Sequence, residues 1–290
     1  MTLRIEGPIA AVTGANGYVG SIVTDGLATA GFQIRRLIRH PQSGRDDHFY
    51  DIAECCSPAA LDGADVLIHC AYDLSVTSRL AIWDTNVFGT RSLLDLAASS
   101  GVRRTIVVSS MSAYSGTRQI YGRAKLASET DAFAREMCVV RPGLVYGPKS
   151  GGMAGTLRKL TSLPIVPLVG RHAHQFTLHE DDLQKAIIAL ARADVVPRRP
   201  LGLAHPEPIS FEFLLRAIAT GGANRNLRFL PIPWQPLYWA MRVVERTSMN
   251  LPVRADSLLG LVRSAPAVPN LDDVRDLGIE FRRFGQNIPI

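Results

Sequence analysis

The stretch "TGANGYVG", Thr13 to Gly20, decides the fold. It follows the apolar run "PIAAVTG" (8–14), which reads as a buried strand. It leads into "YVGSIVTDGLATAG" (18–31), which has helical spacing and stops at a glycine suited to a C-terminal cap. Gly14, Gly17 and Gly20 stand in G-x-x-G-x-x-G order between the two. Without a Cβ, Gly14 permits a tight turn, Gly17 lets a pyrophosphate approach the backbone, and Gly20 lets the helix pack close to the sheet. The first helical turn then offers unpaired N–H groups and a positive dipole end to phosphates. A glycine motif alone is weak, but here it has the strand before and the helix after that the chemistry requires.

The same alternation runs outward from this turn. "FQIRRLIR" (32–39), "ADVLIHCA" (64–71), "RRTIVVSS" (103–110) and "MCVVRPGLVYG" (137–147) read as further strands. "IWDTNVFGTRSLLDLAASSG" (82–101), "YGRAKLASETDAFARE" (121–136) and "HEDDLQKAIIALARA" (179–193) read as helices. This spacing predicts an α/β fold: a doubly wound parallel sheet with helices on both faces and ligands at the strands' carboxyl ends. After Gly147 the texture changes, with a glycine-rich loop and prolines at 164, 167, 197, 200, 206 and 208. Residues 1–149 and 176–198 are expected to form the dinucleotide-binding domain. Residues 150–175 and 199–290 are expected to form a smaller, mainly C-terminal substrate-binding lobe. "WQPLYWAMRVVE" (234–245) is aromatic and apolar but thin in basic residues, which predicts a core or pocket-lining helix rather than a membrane-surface one.

Composition sets the outer bounds. The chain has 290 residues, 47% hydrophobic and 20% charged, and no apolar run approaches the ~18 residues that span a bilayer. The N-terminus lacks a signal peptide's layout, so a cytoplasmic protein is expected. Cys55, Cys56, Cys70 and Cys138 show no metal-ligand spacing and read as reduced thiols, with no metal site. A net charge of +6 raises the question of nucleic acid. The arginines are dispersed and no recognition-helix or zinc-finger signature is present. The field better suits a small, anionic substrate than DNA, and no nucleic-acid or membrane partner is expected.

The second strand bears on cofactor choice. An NAD site usually places Asp or Glu at its end to bind the adenosine ribose hydroxyls. In "GFQIRRLIRH" that place falls on Leu37 or Ile38, followed by Arg39. A carboxylate would repel a 2′-phosphate, whereas a guanidinium pairs with it, so Arg39, helped by Arg36, favours NADP(H) over NAD(H).

With these blocks in place, the chain resembles the extended short-chain dehydrogenase/reductase family, the NAD(P)-dependent epimerase/dehydratase group. The resemblance rests on "TGANGYVG", "DVLIHCA" (65–71), "TNVFGTRSLLDLAASSGVRRTIVVSS" (85–110), "YGRAK" (121–125), "VVRPGLVYGP" (139–148) and "HEDDLQKAI" (179–187), in the family's order. It implies a seven-stranded Rossmann sheet and a homodimer through helices 82–100 and 121–136. It implies cofactor contacts from Gly14, Asn16, Gly17, Tyr18, Gly20, Arg39, Asp51, Ala71, Tyr121 and Lys125. It also implies a catalytic set. Tyr121 and Lys125 share a helix face; a phenol with pKa near 10 is a poor base, and an adjacent ammonium would lower it. Tyr121 would exchange a proton with a carbonyl or alcohol oxygen. Ser110, selected over Ser112 by anchoring on Tyr114, would share that oxygen. Asn86 and Asp182 match positions that hold structure.

The family's shared chemistry is hydride transfer at a carbon bearing oxygen. Dehydratase members carry an Asp-Glu pair after the catalytic hydroxyl residue; here Met111 and Ser112 follow Ser110. Sugar-nucleotide enzymes often place an arginine before the "HVDD"-like block, where this chain has Gln175; Arg141 or Arg171 could substitute. The expectation is an NAD(P)-dependent oxidoreductase, with a nucleotide-sugar as one substrate option. The alternatives are a sugar-nucleotide epimerase with bound NAD(P) and a non-catalytic NADPH-binding regulatory or assembly protein.

Overall fold

A computed structural model describes residues 7–149, 151–171, 173–220, 227–245 and 254–285. The strands are β1 (Ile9–Thr13), β2 (Gln33–Ile38), β3 (Asp47–Phe49), β4 (Val66–His69), β5 (Arg104–Val108), β6 (Cys138–Pro142), β7 (Leu144–Tyr146), β8 (Ile165–Val169), β9 (His174–Gln175), β10 (Thr177–His179), β11 (Leu201–Leu203), β12 (Ile209–Ser210) and β13 (Arg228–Ile232). The helices are α1 (Tyr18–Thr29), α2 (Arg79–Ile82), α3 (Gly89–Ser99), α4 (Ile120–Phe133), α5 (Gly152–Thr161), α6 (Glu180–Arg192), α7 (Phe211–Thr220), α8 (Trp234–Val244), α9 (Ala255–Val262) and α10 (Leu271–Asp276).

Seven strands form one parallel sheet in the order β11-β6-β5-β4-β1-β2-β3. The order reverses between β1 and β4, which opens a crevice at their carboxyl ends. Alternation along the strands supplies two cores. Ala10 and Val12, Val66 and Ile68, and Ile106 and Val108 face the side packed by α1 and α6. Ala11, Leu67, Val107 and Val139 face the side of α3 and α4. This is the period-two pattern of a sheet covered on both faces.

The domain boundary expected at residue 198 falls too early. Strand β11 hydrogen-bonds β6 as the sheet's edge, and Val274 and Ile279 after it join the α1/α6-side core. The strand pairs β7–β10, β9–β12 and β8–β13 lie outside the main sheet. A separate core gathers Leu157, Val166, Leu168, Phe211, Leu214 and Leu215. Helix α8 is not a core element: none of its residues is buried, and Trp239 is 67% exposed. The helix expected over 82–101 is interrupted by a π-helical turn, Trp83–Phe88. That turn aims the buried Asn86 amide at residue 73, accepting from its N–H at 2.7 Å and donating to its carbonyl at 3.1 Å. Asp182 is structural too, receiving the Arg282 guanidinium and backbone N–H.

The switch point is fastened by a hydroxyl. Thr13 Oγ1 accepts the N–H groups of Cys70 and Ala71 at 3.1 and 3.2 Å. Both lone pairs are then engaged, so its proton goes to His69 Nδ1, 2.8 Å away. The His69 proton therefore sits on Nε2 and is donated to Thr90 Oγ1 at 2.9 Å. Burial, with the Lys125 charge second, pulls the His69 pKa from 6.5 down to about 3.

The unfolded chain consequently binds a proton near pH 6.5 that the folded chain refuses. This group's contribution to stability is complete above that pH and is lost as pH falls towards 3, at about 1.4 kcal/mol per pH unit. Denaturant titrations between pH 6.5 and 5 should show that slope reduced in His69→Gln. An unchanged slope would show that the imidazole is not held neutral.

Candidate active site

The glycine turn fits a dinucleotide. Gly14 has φ +63°, in the region that favours glycine, and a Cβ there would lie 3.0 Å from the Ala71 backbone. A Cβ on Gly20 would lie 2.1 Å from the Gly14 carbonyl, so the helix must pack without one. No side chain caps α1, and its first turn holds no acidic residue, which leaves the N–H groups and dipole for an anion. Asn16 Oδ1 accepts from the Arg36 guanidinium, which also lies 3.6 Å from Asp47. Arg36 is thus engaged, while Arg39 is exposed at the end of β2 and its charge reaches Asp73, holding that carboxyl below its ordinary range after the Ser75 hydrogen bond and with other local donors. Asp51 closes a local turn, accepting the Ala53 N–H at 2.9 Å. Tyr18 lies against Gly151 and Gly152; burial first, then Glu180, pushes its phenol up to about 12.

The second half of the site comes from β5 and α4. Ser110 follows β5, and its Oγ accepts the Ser112 N–H at 3.1 Å. Tyr121 and Lys125 lie one turn apart on α4, as expected. The Ser110 hydroxyl lies near enough to the Tyr121 phenol to favour its ionised form. Lys125 is 6% exposed and its Nζ donates to the Val108 carbonyl at 2.9 Å. That anchor places Nζ 6.0 Å from the Tyr121 ring centre.

Burial pushes the Tyr121 phenol above its ordinary value, with the nearby Ser110 hydroxyl acting the other way. The lysine is itself lowered from 10.5 to about 8 by burial, with Cys70 and Glu129 acting the other way. At neutral pH this amine still carries most of its charge, and in a dry site that charge acts through a low dielectric and is felt more strongly than at the surface.

Two features escaped sequence reasoning. Tyr72, just past β4, meets Tyr121 edge-on with ring centres 4.9 Å apart and covers Lys125 Nζ at 4.8 Å. No motif marks it; its place follows from where the chain leaving β4 meets the Tyr121–Lys125 turn of α4. Below Lys125, Glu129 is buried and accepts from Ser109 Oγ and, at 2.8 Å, from Arg141 Nε. Arg141 is therefore spent on an internal ion pair. Arg171 pairs with Glu212 at 2.7 Å, and Gln175 donates to the Leu261 carbonyl at 3.1 Å.

A parallel sheet reversing at a glycine turn, with a tyrosine and a lysine converging on its crevice, defines a Rossmann-type dinucleotide-binding protein of the short-chain dehydrogenase/reductase type. The sequence profile described as "NAD dependent epimerase/dehydratase family" matches residues 10–198, and the chain belongs to that family. Among curated relatives, a ceramide reductase of Caulobacter vibrioides is 27% identical over 236 residues, covering 78% of this chain and 74% of that protein. Among solved structures, UDP-N-acetylglucosamine 4-epimerase from Bacillus cereus superposes with a TM-score of 0.66 at 17% identity, covering 89% of this chain and 100% of that one. MoeE5, solved with UDP-glucose and NAD, superposes with a TM-score of 0.63 at 21% identity, covering 88% of this chain and 97% of that one. These structural likenesses concern the fold.

Gly122 holds α4 against the Ser110–Ser112 turn, since a Cβ there would stand 2.2 Å from the Ser112 carbonyl oxygen. Gly122→Ala must push the helix away and should cost ~1–3 kcal/mol by denaturant titration. Wild-type stability in that variant would refute the close packing.

Proposed function

We propose that this protein is an NADP(H)-dependent oxidoreductase acting at a carbonyl or alcohol carbon, with Tyr121 as the proton donor and acceptor. The observation that carries this reading is the convergence of Ser110, Tyr121 and Lys125 at the carboxyl end of β5, beside the phosphate-binding turn. The N–H groups opening α1, with Gly14, Gly17 and Gly20 leaving room, would hold the pyrophosphate. Asn16, Tyr18 and Ala71 border that turn, Asp51 would serve the adenosine, and Arg39 would pair with a 2′-phosphate. When bound, the nicotinamide supplies or removes the hydride.

The chain's own residues handle the oxygen and the proton. Ser110 and Tyr121 hydrogen-bond the substrate oxygen and fix its direction. Tyr121, raised above its ordinary pKa and therefore protonated at neutral pH, donates its proton as charge develops on that oxygen. Lys125, anchored on the Val108 carbonyl, would supply positive charge to the emerging phenolate and would help hold the nicotinamide ribose.

The substrate inferred here lacks a nucleotide diphosphate. Arg141 and Arg171, the guanidiniums named for an anionic substrate, are both paired with carboxylates. The likeness to a ceramide reductase supports net reduction over sugar-nucleotide epimerisation. The epimerase reading retains the support of the family model, which covers epimerases and dehydratases together.

Tyr121→Phe should lower carbonyl-dependent NADPH oxidation roughly 100-fold or more while NADPH still binds. Full turnover in that variant would remove Tyr121 from the chemistry. Separately, Arg39→Ala should weaken NADPH binding about tenfold and NADH binding little. Equal weakening of both, or tighter binding of NADH by the wild type, would sink the NADP(H) assignment.

A further inference from the structure

The first turn of α4 is capped from a distant part of the chain. Its own N-cap residue, Gln119, makes no side-chain capping bond, and the turn contains no acidic residue. Instead Asp256, in the first turn of α9, reaches across. Its Oδ1 accepts the Ile120 N–H at 2.7 Å and its Oδ2 accepts the Tyr121 N–H at 3.2 Å. The second of these is the backbone of the residue assigned above to proton transfer. Two residues earlier, the Arg254 guanidinium lies 3.4 Å from the carbonyls of Leu74, Val76 and Thr77, in the segment that follows Tyr72. The Ala255 N–H is itself held by Glu245 Oε1 at 2.7 Å. Gly260 packs against the Gln119 side chain, where a Cβ would lie 2.5 Å from Nε2.

We propose that Arg254–Asp256 is a clip by which the C-terminal lobe completes the active site, with Asp256 the positioning residue for Tyr121. The inference rests on the oxidoreductase reading for its kinetic consequence, but not for the cap itself. A carboxylate accepting two N–H groups at a helix start satisfies orphan donors and opposes the positive dipole end. It also fixes the rotation of the first turn, hence the direction of the phenol. Arg254 does the same for the opposite wall, which carries Tyr72. The lobe that selects substrate is therefore wired to the proton donor, and its displacement would disturb both walls together.

Asp256→Ala and Asp256→Asn in the full chain test this. The alanine variant should lose about tenfold or more in kcat, because small misplacements of a reacting group are costly. Its NADPH affinity should stay within about twofold of wild type, since the phosphate turn is untouched. Asparagine, which keeps one acceptor, should recover much of the loss. Amide exchange at Ile120 and Tyr121 should accelerate in Asp256→Ala and be largely restored in Asp256→Asn. Wild-type kcat in Asp256→Ala, or parallel loss of kcat and NADPH binding, would overturn the positioning role. If the wild type turns over no carbonyl compound, the oxidoreductase reading fails. The exchange rates then decide the cap alone, and unchanged protection at both amides overturns it.

Discussion

The site depends on one close approach, where the backbone leaving β1 meets the backbone leaving β4. Gly14 turns there with a positive φ against Ala71, and the Thr13 hydroxyl holds the N–H groups of Cys70 and Ala71 in place. A side chain at position 14 would drive the two strand ends apart and misdirect α1. His69 completes the fastening as a neutral ring between two threonine hydroxyls, its tautomer dictated by what Thr13 has left to donate. The crevice that can receive a dinucleotide is thus a by-product of how two buried strands end.

The opposite wall is ordered by α4, which carries Tyr121, Lys125 and Glu129 at successive turns. Each is anchored differently: Tyr121 by its backbone to Asp256, Lys125 by its amine to the Val108 carbonyl, and Glu129 by Ser109 and Arg141. Burying a lysine and a glutamate along one helix is costly unless each finds partners, and here both do. The cost appears in the lowered pKa of Lys125. Burial raises the Tyr121 phenol, and the nearby Ser110 hydroxyl acts against that rise.

Local pattern made most of this legible. The turn at Gly14–Gly20, the cap at Gly31, strands β1, β2, β4, β5 and β6, and helices α1, α4 and α6 follow from short-range periodicity and glycine geometry. Long-range contact hid the remainder. The break in the 82–101 helix coincides with the pair of hydrogen bonds between the Asn86 amide and the backbone of residue 73. β11 reads as a three-residue scrap until β6 pairs with it. The apolar look of 234–245 suggested burial, yet α8 lies on the surface.

The sequence by itself therefore determined the sheet and its glycine turn, and marked Ser110, Tyr121 and Lys125 as candidate site residues, because each depends on spacing within a few residues. Tertiary structure alone decided how those groups are tuned. Whether Arg141 meets a substrate or Glu129, whether Lys125 is fully charged, and what caps α4 all depend on which distant groups share a dry space. Desolvation and pairing are properties of that space, and no local pattern encodes them.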